Sequence, residues 1–127
     1  FSKNTKEILE RIGRSKAGQM AAIIKDMKEL NAEEVADTFK IIIPKIEKGE
    51  MKFFIIRDLF LNFDTYKGKI VEAIGKSTVT IKAGDMAALR TMYNSDTGSM
   101  NTVLEIMVKK GTLTDEQITE IKEQRKS

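Results

Sequence analysis

Apolar residues recur at every third or fourth position over most of the chain. In the second predicted helix they are Met20, Ile23, Ile24, Met27 and Leu30. This is the period of a helix that buries one face, and it returns at 35–46, 86–93 and 100–107. The pattern predicts an all-α protein, a compact bundle of six to eight short helices around a central apolar helix. We expect helix in more than about half of the residues, against a usual third.

The predicted central helix lies in the stretch MKFFIIRDLFLNFDTYKGKIVEAIG, residues 51–75, which is apolar on nearly all sides, and Gly68 is the point at which it would divide into two helices. A helix of this kind is usually the buried centre of a bundle. We expect it to supply the core and to leave an apolar patch that a partner protein or a second copy would cover. The residues expected on this partner surface are Met51, Phe53, Phe54 and Leu61.

One segment has the composition of extended chain. Thr78, Val79, Thr80 and Ile81 are four consecutive β-branched residues, which favour a pleated conformation. The sequence therefore predicts a short extended segment near 78–82 that crosses the surface between two helices. The alternative is that residues 78–81 pair with residues 53–56 as two short strands.

Helix boundaries are well marked in two places. Asn31 with Glu34, and Thr114 with Gln117, have the spacing of capping boxes, in which side chain and backbone bond reciprocally at a helix start. Gly111 suits the left-handed residue that ends a helix. These residues are explained by helix ends, and we assign them no ligand.

Two other features predict interruptions. Pro44, the single proline, lies inside a helical pattern and lacks the amide that a helix uses, so a kink or break is expected just before it. Residues 94–99, NSDTGS, consist of turn-forming residue types and predict a loop.

A local resemblance covers under a fifth of the chain, near its end. Residues 103–125 resemble the short helix–turn–helix repeated in the N-terminal domains of type II secretion and type IV pilus ATPases. The shared residues are Ile106, Met107, Val108, Gly111, Leu113, Thr114, Gln117 and Ile118. Some copies in that family bind a cyclic dinucleotide through an arginine and a glycine, but those places hold Thr102 and Leu104 here. The resemblance therefore implies an adaptor-like module and carries over no ligand residue.

Composition bounds the chemistry that the chain can perform. The 127 residues predict one helical domain, 1–127, and a start at Phe1 rather than methionine suggests a chain trimmed or cut from a longer one. Cysteine and histidine are absent, and no phosphate-binding loop, metal-spaced cluster or nucleophile motif appears. We therefore expect no enzyme activity, no catalytic residue, no cofactor and no metal, with carboxylate-only or lysine-only chemistry as the remaining enzymatic alternative. No run approaches the ~20 apolar residues of a membrane span, and we expect a cytoplasmic location.

The charge balance is weakly basic, +3, with acidic residues interleaved among the lysines. This distribution favours a non-enzymatic protein–protein interaction, regulatory or adaptor module that binds another protein or itself. The alternative is a small basic nucleic-acid-binding protein, whose phosphate contacts would come from the N-terminus and from the region 67–82. The candidate contacts are Lys3, Lys6, Arg11, Arg14, Lys67 and Lys69.

Overall fold

The computed structural model describes residues 1–123, and these residues form an all-helical protein. Helix covers 76% of them, and they contain no strand. The predicted all-α class and the predicted number of helices are confirmed. The helices are α1 (Lys3–Gly13), α2 (Met20–Met27), α3 (Ala32–Glu47), α4 (Phe53–Asn62), α5 (Lys67–Lys76), α6 (Met86–Ser95), α7 (Thr97–Lys110) and α8 (Asp115–Lys122). Single 3-10 turns, Asp64–Tyr66 and Ala83–Asp85, lead into α5 and α6.

Side-chain caps fix the start of α3 and of α8. The Asn31 carboxamide oxygen accepts from the Glu34 amide at 2.8 Å, and the Glu34 carboxylate accepts from the Asn31 amide at 3.3 Å. The Thr114 hydroxyl accepts from the Gln117 amide at 3.0 Å, and the Gln117 side chain accepts from the Thr114 amide at 2.9 Å. Gly111 ends α7 with φ 80°, in the left-handed region. Both predicted capping boxes and the glycine terminator are confirmed.

The central apolar stretch divides into α4 and α5 at residues 63–66, and the predicted division at Gly68 is wrong because Gly68 lies inside α5. The break predicted just before Pro44 does not occur either. α3 runs through Pro44 to Glu47 without a break. Pro44 is exposed while Ile42 and Ile46 are buried, so burial of the helix outweighs the one lost hydrogen bond. The loop predicted at 94–99 is wrong, because Asp96 alone separates α6 from α7.

The odd-numbered helices lie side by side and run in the same direction. Each neighbouring pair of these helices is close both near the helix starts and near the helix ends. For α1–α3, α3–α5 and α5–α7 in turn, the contacts on the side of the starts are Ser2–Glu34, Phe39–Tyr66 and Lys67–Asp96. On the side of the ends, Gly13 and Lys45 line one groove, Ile46 and Ile74 line another, and Lys110 donates to the Gly75 carbonyl. α3 therefore packs between α1 and α5, and α5 packs between α3 and α7.

The even-numbered helices form a second row and run in the opposite direction. α4 packs between α2 and α6, and α6 also contacts α8. The buried side of α4 consists of Ile55, Ile56, Leu59 and Phe60. All eight helices contribute buried residues to the protein.

Each odd-numbered helix and the even-numbered helix that follows it in the chain are called a hairpin below: α1–α2, α3–α4, α5–α6 and α7–α8. The two rows also meet between these units, since α4 contacts α5 and α6 contacts α7. Three of the hairpins begin with a capping side chain, from Ser2, Asn31 and Asp96. Within each row, most helices pack mainly against their neighbours in the same row.

The loops within the four hairpins lie at the same end of the molecule, called the turn end below. They comprise residues 14–19, 48–52, 77–85 and 111–114. The chain has no helix or strand from 77 to 82, where Ser77 and Lys82 have extended backbone angles. Because residues 53–56 begin α4, the alternative in which they pair with 78–81 as strands is wrong.

Candidate partner-binding surface

The outer side of α4, called the α4 face below, carries three of the four residues expected to meet a partner. Phe53, Phe54, Arg57, Asp58 and Leu61 are all half-buried. Successive helical residues are turned by about 100°, so these five occupy one continuous side, opposite the buried side. The Arg57 guanidinium pairs with the Asp58 carboxylate at 3.1 Å. The face is therefore apolar with one neutralised charge pair.

A groove of about 210 Å³ opens at the turn end, between the second and third hairpins. It is called the turn-end groove below. Its apolar lining is Ile46, Met51, Phe53, Ile56, Ile74 and Val79. Its polar lining is Glu50, Lys52, Ser77, Thr80, Lys82 and Asp85. Met51 and Phe53 belong to the predicted partner surface, and Phe53 also lies on the α4 face, so the groove and the face are continuous.

One wall of this groove depends on a glycine. Gly49 has φ 71°, and Val79 lies directly over its α-carbon, where a β-carbon would overlap the valine Cγ2. The close approach holds the 77–82 segment against the loop between α3 and α4. Val79 remains 38% exposed, one of three large apolar residues with exposure this high among residues 1–123. A partner side chain in the groove would therefore contact an accessible valine.

A second, smaller groove of about 90 Å³ adjoins the first. Glu50, Met51 and Lys52 line both grooves, so the loop between α3 and α4 forms the ridge between them. Lys45 adds a further cation to the smaller groove. The apolar lining of the two grooves thus spans three hairpins at the turn end.

Within the described residues, 1–123, the lysines at the rim have no acidic partner. Among residues 1–123, none of the ion pairs within 4.0 Å includes Lys45, Lys52 or Lys82. The Asp85 carboxylate accepts from the Lys82 backbone amide at 3.0 Å, which orders the start of the 3-10 turn. Glu50 is the other rim carboxylate and is likewise outside every ion pair within the described part of the chain. The turn-end groove alone holds two lysines and two carboxylates, and Lys45 of the smaller groove gives the rim that the two grooves share a net positive charge.

One of these cations, Lys52, lies where helix electrostatics disfavour it. Lys52 is the N-cap residue of α4, which has no side-chain cap and no acidic residue in its first turn. The start of α6 differs, because Asp85 follows Lys82 in the 3-10 turn and is the N-cap residue of α6. A helix N-terminus carries partial positive charge and stabilises anions rather than cations. Such local conflicts are expected at functional sites.

The two carboxyl groups with shifted pKa lie at the opposite end of the molecule. The Ser2 hydroxyl and the Asn31 backbone amide donate to the Glu34 carboxylate and lower its pKa. The Ser99 amide and hydroxyl lower the pKa of Asp96 in the same way. Both groups act as structural acceptors at helix starts.

The residues predicted to contact phosphate are divided between α1 and α5, with α3 packed between these helices. Arg11 pairs with Asp26 at 2.6 Å, Arg14 with Glu10 at 3.4 Å, and Lys67 with Asp64 at 3.4 Å. The Lys67 ammonium also lies 5.0 Å from the Phe60 ring centroid, and the Lys69 ammonium lies 5.8 Å from that of Tyr66. Lys3 and Lys6 are exposed and belong to none of the ion pairs in residues 1–123. Half of the candidate cations are thus already matched by carboxylates.

Sequence reasoning missed the groove residues Lys52, Val79 and Lys82 as a group. They come from two loops whose proximity depends on how the second and third hairpins stack. One signal was available in the sequence. Lys52 stands just before α4, where an acidic or hydroxyl side chain normally caps a helix.

Comparison with known protein families, curated protein sequences and solved structures gives no match for this chain. Within residues 1–123, no helix combines the length and apolar character that crossing a bilayer would require. The same residues contain no group of three or more acidic side chains arranged to hold a metal ion.

Proposed function

We propose that this chain is a non-enzymatic protein–protein interaction module that serves as an adaptor or regulatory domain. The observation that carries the proposal is the continuity of the α4 face with the turn-end groove through Phe53. A half-buried apolar surface on a packed helical protein is suited to a protein partner.

The composition of this surface supports the proposal. Aromatic and methionine side chains are enriched where proteins meet, and Met51, Phe53 and Phe54 lie together here. The packing of Phe53 and Phe54 on the core keeps them ordered before a partner arrives, which reduces the entropy cost of binding. The partner is a different protein or a second copy of this chain, and the experiment below separates the two.

Photocrosslinking in cells tests the proposal. The probe, p-benzoylphenylalanine, keeps an aromatic ring where phenylalanine had one, so the probed surface changes little. Phe53→p-benzoylphenylalanine places the probe on the proposed surface. The same replacement at Phe1, which is 59% exposed and lies outside that surface, is the matched control. We expect the Phe53 probe to give a discrete crosslinked protein that survives nuclease treatment, and the Phe1 probe to give none.

The mass of the product identifies the partner class. A product of twice the chain mass indicates self-association, and any other mass indicates a different protein. Loss of the product after nuclease treatment, or equal products from both probes, would contradict the proposal.

A second candidate function is sequence-independent nucleic-acid binding, which is supported by Lys3 and Lys6, since both are exposed and belong to no ion pair within residues 1–123. Lysines attract phosphate without reading sequence, and such binding weakens steeply with salt. Because Arg11, Arg14 and Lys67 are already paired with carboxylates, this binding is expected to be weak.

A further inference from the structure

We propose that the turn-end groove binds a short, acidic, extended segment of a partner protein. One apolar side chain of that segment occupies the groove beside Val79 and Met51, and neighbouring acidic side chains meet Lys52 and Lys82. The inference rests on the proposed function, since it names the kind of partner that the same surface takes.

The charges at the rim indicate that the partner segment is negatively charged. The two grooves together are lined by three lysines, Lys45, Lys52 and Lys82, and by two carboxylates, Glu50 and Asp85, so their shared rim has a net positive charge. Within residues 1–123, none of the three lysines belongs to an ion pair within 4.0 Å. Lys52 is moreover the N-cap residue of α4, where its charge opposes the helix dipole and the first turn has no acidic residue. An acidic segment would relieve both conditions, because its carboxylates would be attracted by the ammonium groups and by the partial positive charge of the helix start.

The dimensions of the grooves favour a side chain over a cofactor. Their volumes are about 210 and 90 Å³, whereas pockets for small molecules usually measure about 300–1,000 Å³. A single aliphatic or aromatic side chain is a better match. Such an anchor would contact Met51, Phe53 and Val79, and the ridge at Glu50 to Lys52 would separate it from a second position in the adjoining groove.

The backbone beside the groove favours an extended partner. Thr78, Val79 and Thr80 are exposed. Within residues 1–123, neither the Thr78 nor the Thr80 amide donates to another protein group, although Val79 and Ile81 do. Backbone groups of an extended segment pair with those of another extended chain, which is how many domains capture peptides by strand addition. Residues 78–80 therefore offer hydrogen bonds that do not depend on the partner's side chains.

Selection from a library of random peptides displayed on phage tests this inference without knowledge of the natural partner. The selection uses the wild-type chain and the double variant Lys52→Glu/Lys82→Glu, and enriched peptides are then synthesised for fluorescence anisotropy. The control variant, Lys3→Glu/Lys6→Glu, makes the same charge change on exposed residues of α1. Circular dichroism confirms that each variant folds before binding is measured.

We expect peptides with an aliphatic or aromatic residue flanked by aspartate or glutamate. Their affinity should fall at least about tenfold in the Lys52/Lys82 variant and should change little in the control. It should also decrease as salt is raised, since exposed charges are screened. Val79→Ser should weaken the same peptides by removing part of the apolar wall while leaving both lysines in place.

Three results would overturn the inference: no enrichment of any peptide, enrichment of peptides without acidic residues, or equal binding to both charge variants. If enriched peptides lose affinity only when Phe54 and Leu61 are replaced, the partner surface is the α4 face and the proposed function survives without this inference. If no peptide binds and single-stranded DNA binds the wild type but not the Lys52/Lys82 variant, both the inference and the proposed function fail.

Discussion

Replacement of Gly49 by alanine tests the contact that forms the wall of the turn-end groove. Gly49 adopts φ 71°, and a β-carbon there would overlap the Cγ2 of Val79. Gly111→Ala is the matched control, because Gly111 adopts φ 80° and no atom lies within 4 Å of the place where its β-carbon would be. Both variants incur the penalty of a left-handed residue with a side chain. Only Gly49→Ala must also displace a neighbour.

The free energy of unfolding should fall by measurably different amounts in the two variants. A left-handed non-glycine residue costs about 1–2 kcal/mol, which is the full loss expected in Gly111→Ala. Insertion of a methyl group into a close contact adds about 1–3 kcal/mol. Gly49→Ala should therefore lower the free energy of unfolding by about 2–5 kcal/mol. A domain of this size is typically stable by about 5–15 kcal/mol, so both variants should fold.

A double-mutant cycle with Val79→Ala isolates the contact. After this change the nearest atom at position 79 would lie 3.1 Å from the new β-carbon, a tight contact without the overlap. Urea unfolding monitored by circular dichroism should show that Gly49→Ala costs at least about 1 kcal/mol less in the Val79→Ala background. Equal losses for Gly49→Ala and Gly111→Ala, or no relief from Val79→Ala, would refute the packing described here.

Three further predictions concern other parts of the chain. Thr114→Ala should remove the α8 cap and lower the unfolding free energy by about 1 kcal/mol, whereas Thr119→Ala, on the exposed side of the same helix, should cost little; similar losses would contradict the cap. The folded-state pKa values of Glu34 and Asp96 lie below the ordinary 4.5 and 3.8. These groups therefore stabilise the fold above those values and lose that stabilisation as pH falls through the lower folded values. Asp96→Asn should flatten the acid side of a stability–pH curve, and an unchanged slope would show that the lowered pKa has no energetic role. Binding to DNA or RNA should be weak and fade at ~150 mM salt, and sub-micromolar binding in a filter assay at that salt would favour the nucleic-acid alternative.

The helical class and several boundaries could be predicted because their causes are local. Asn31 and Thr114 each cap a helix through a residue three positions later, and Gly111 ends a helix through its own φ angle. These interactions involve neighbours in sequence, so residue type and spacing are sufficient evidence for them.

The failed predictions concern positions where residue type alone does not decide between a helix and a loop. Asp96, Gly98 and Ser99 suit a turn, but the first turn of a helix uses the same residue types, and here the Asp96 carboxylate caps α7. Pro44 disfavours a helix locally, but the burial of its neighbours between α1 and α5 compensates. Local propensity therefore failed where tertiary packing decided the outcome.

The candidate site could be predicted only in part. Met51, Phe53, Phe54 and Leu61 follow from the density of apolar residues in one segment. The contribution of the 77–82 segment could not be predicted, because nothing in the sequence brings Val79 to Gly49. That proximity arises when the second and third hairpins stack side by side.

The central claim is that a partner segment binds in the turn-end groove, and methyl NMR of the seven methionines tests it directly. Met51 is half-buried in the groove, whereas Met92 and Met100 are fully buried. During titration with an acidic peptide enriched on the wild-type chain, we predict a saturable shift of the Met51 methyl resonance and little change at Met92 and Met100. The Lys52→Glu/Lys82→Glu variant should need about tenfold more peptide for the same shift. A peptide that binds while the Met51 resonance stays unmoved would contradict the account.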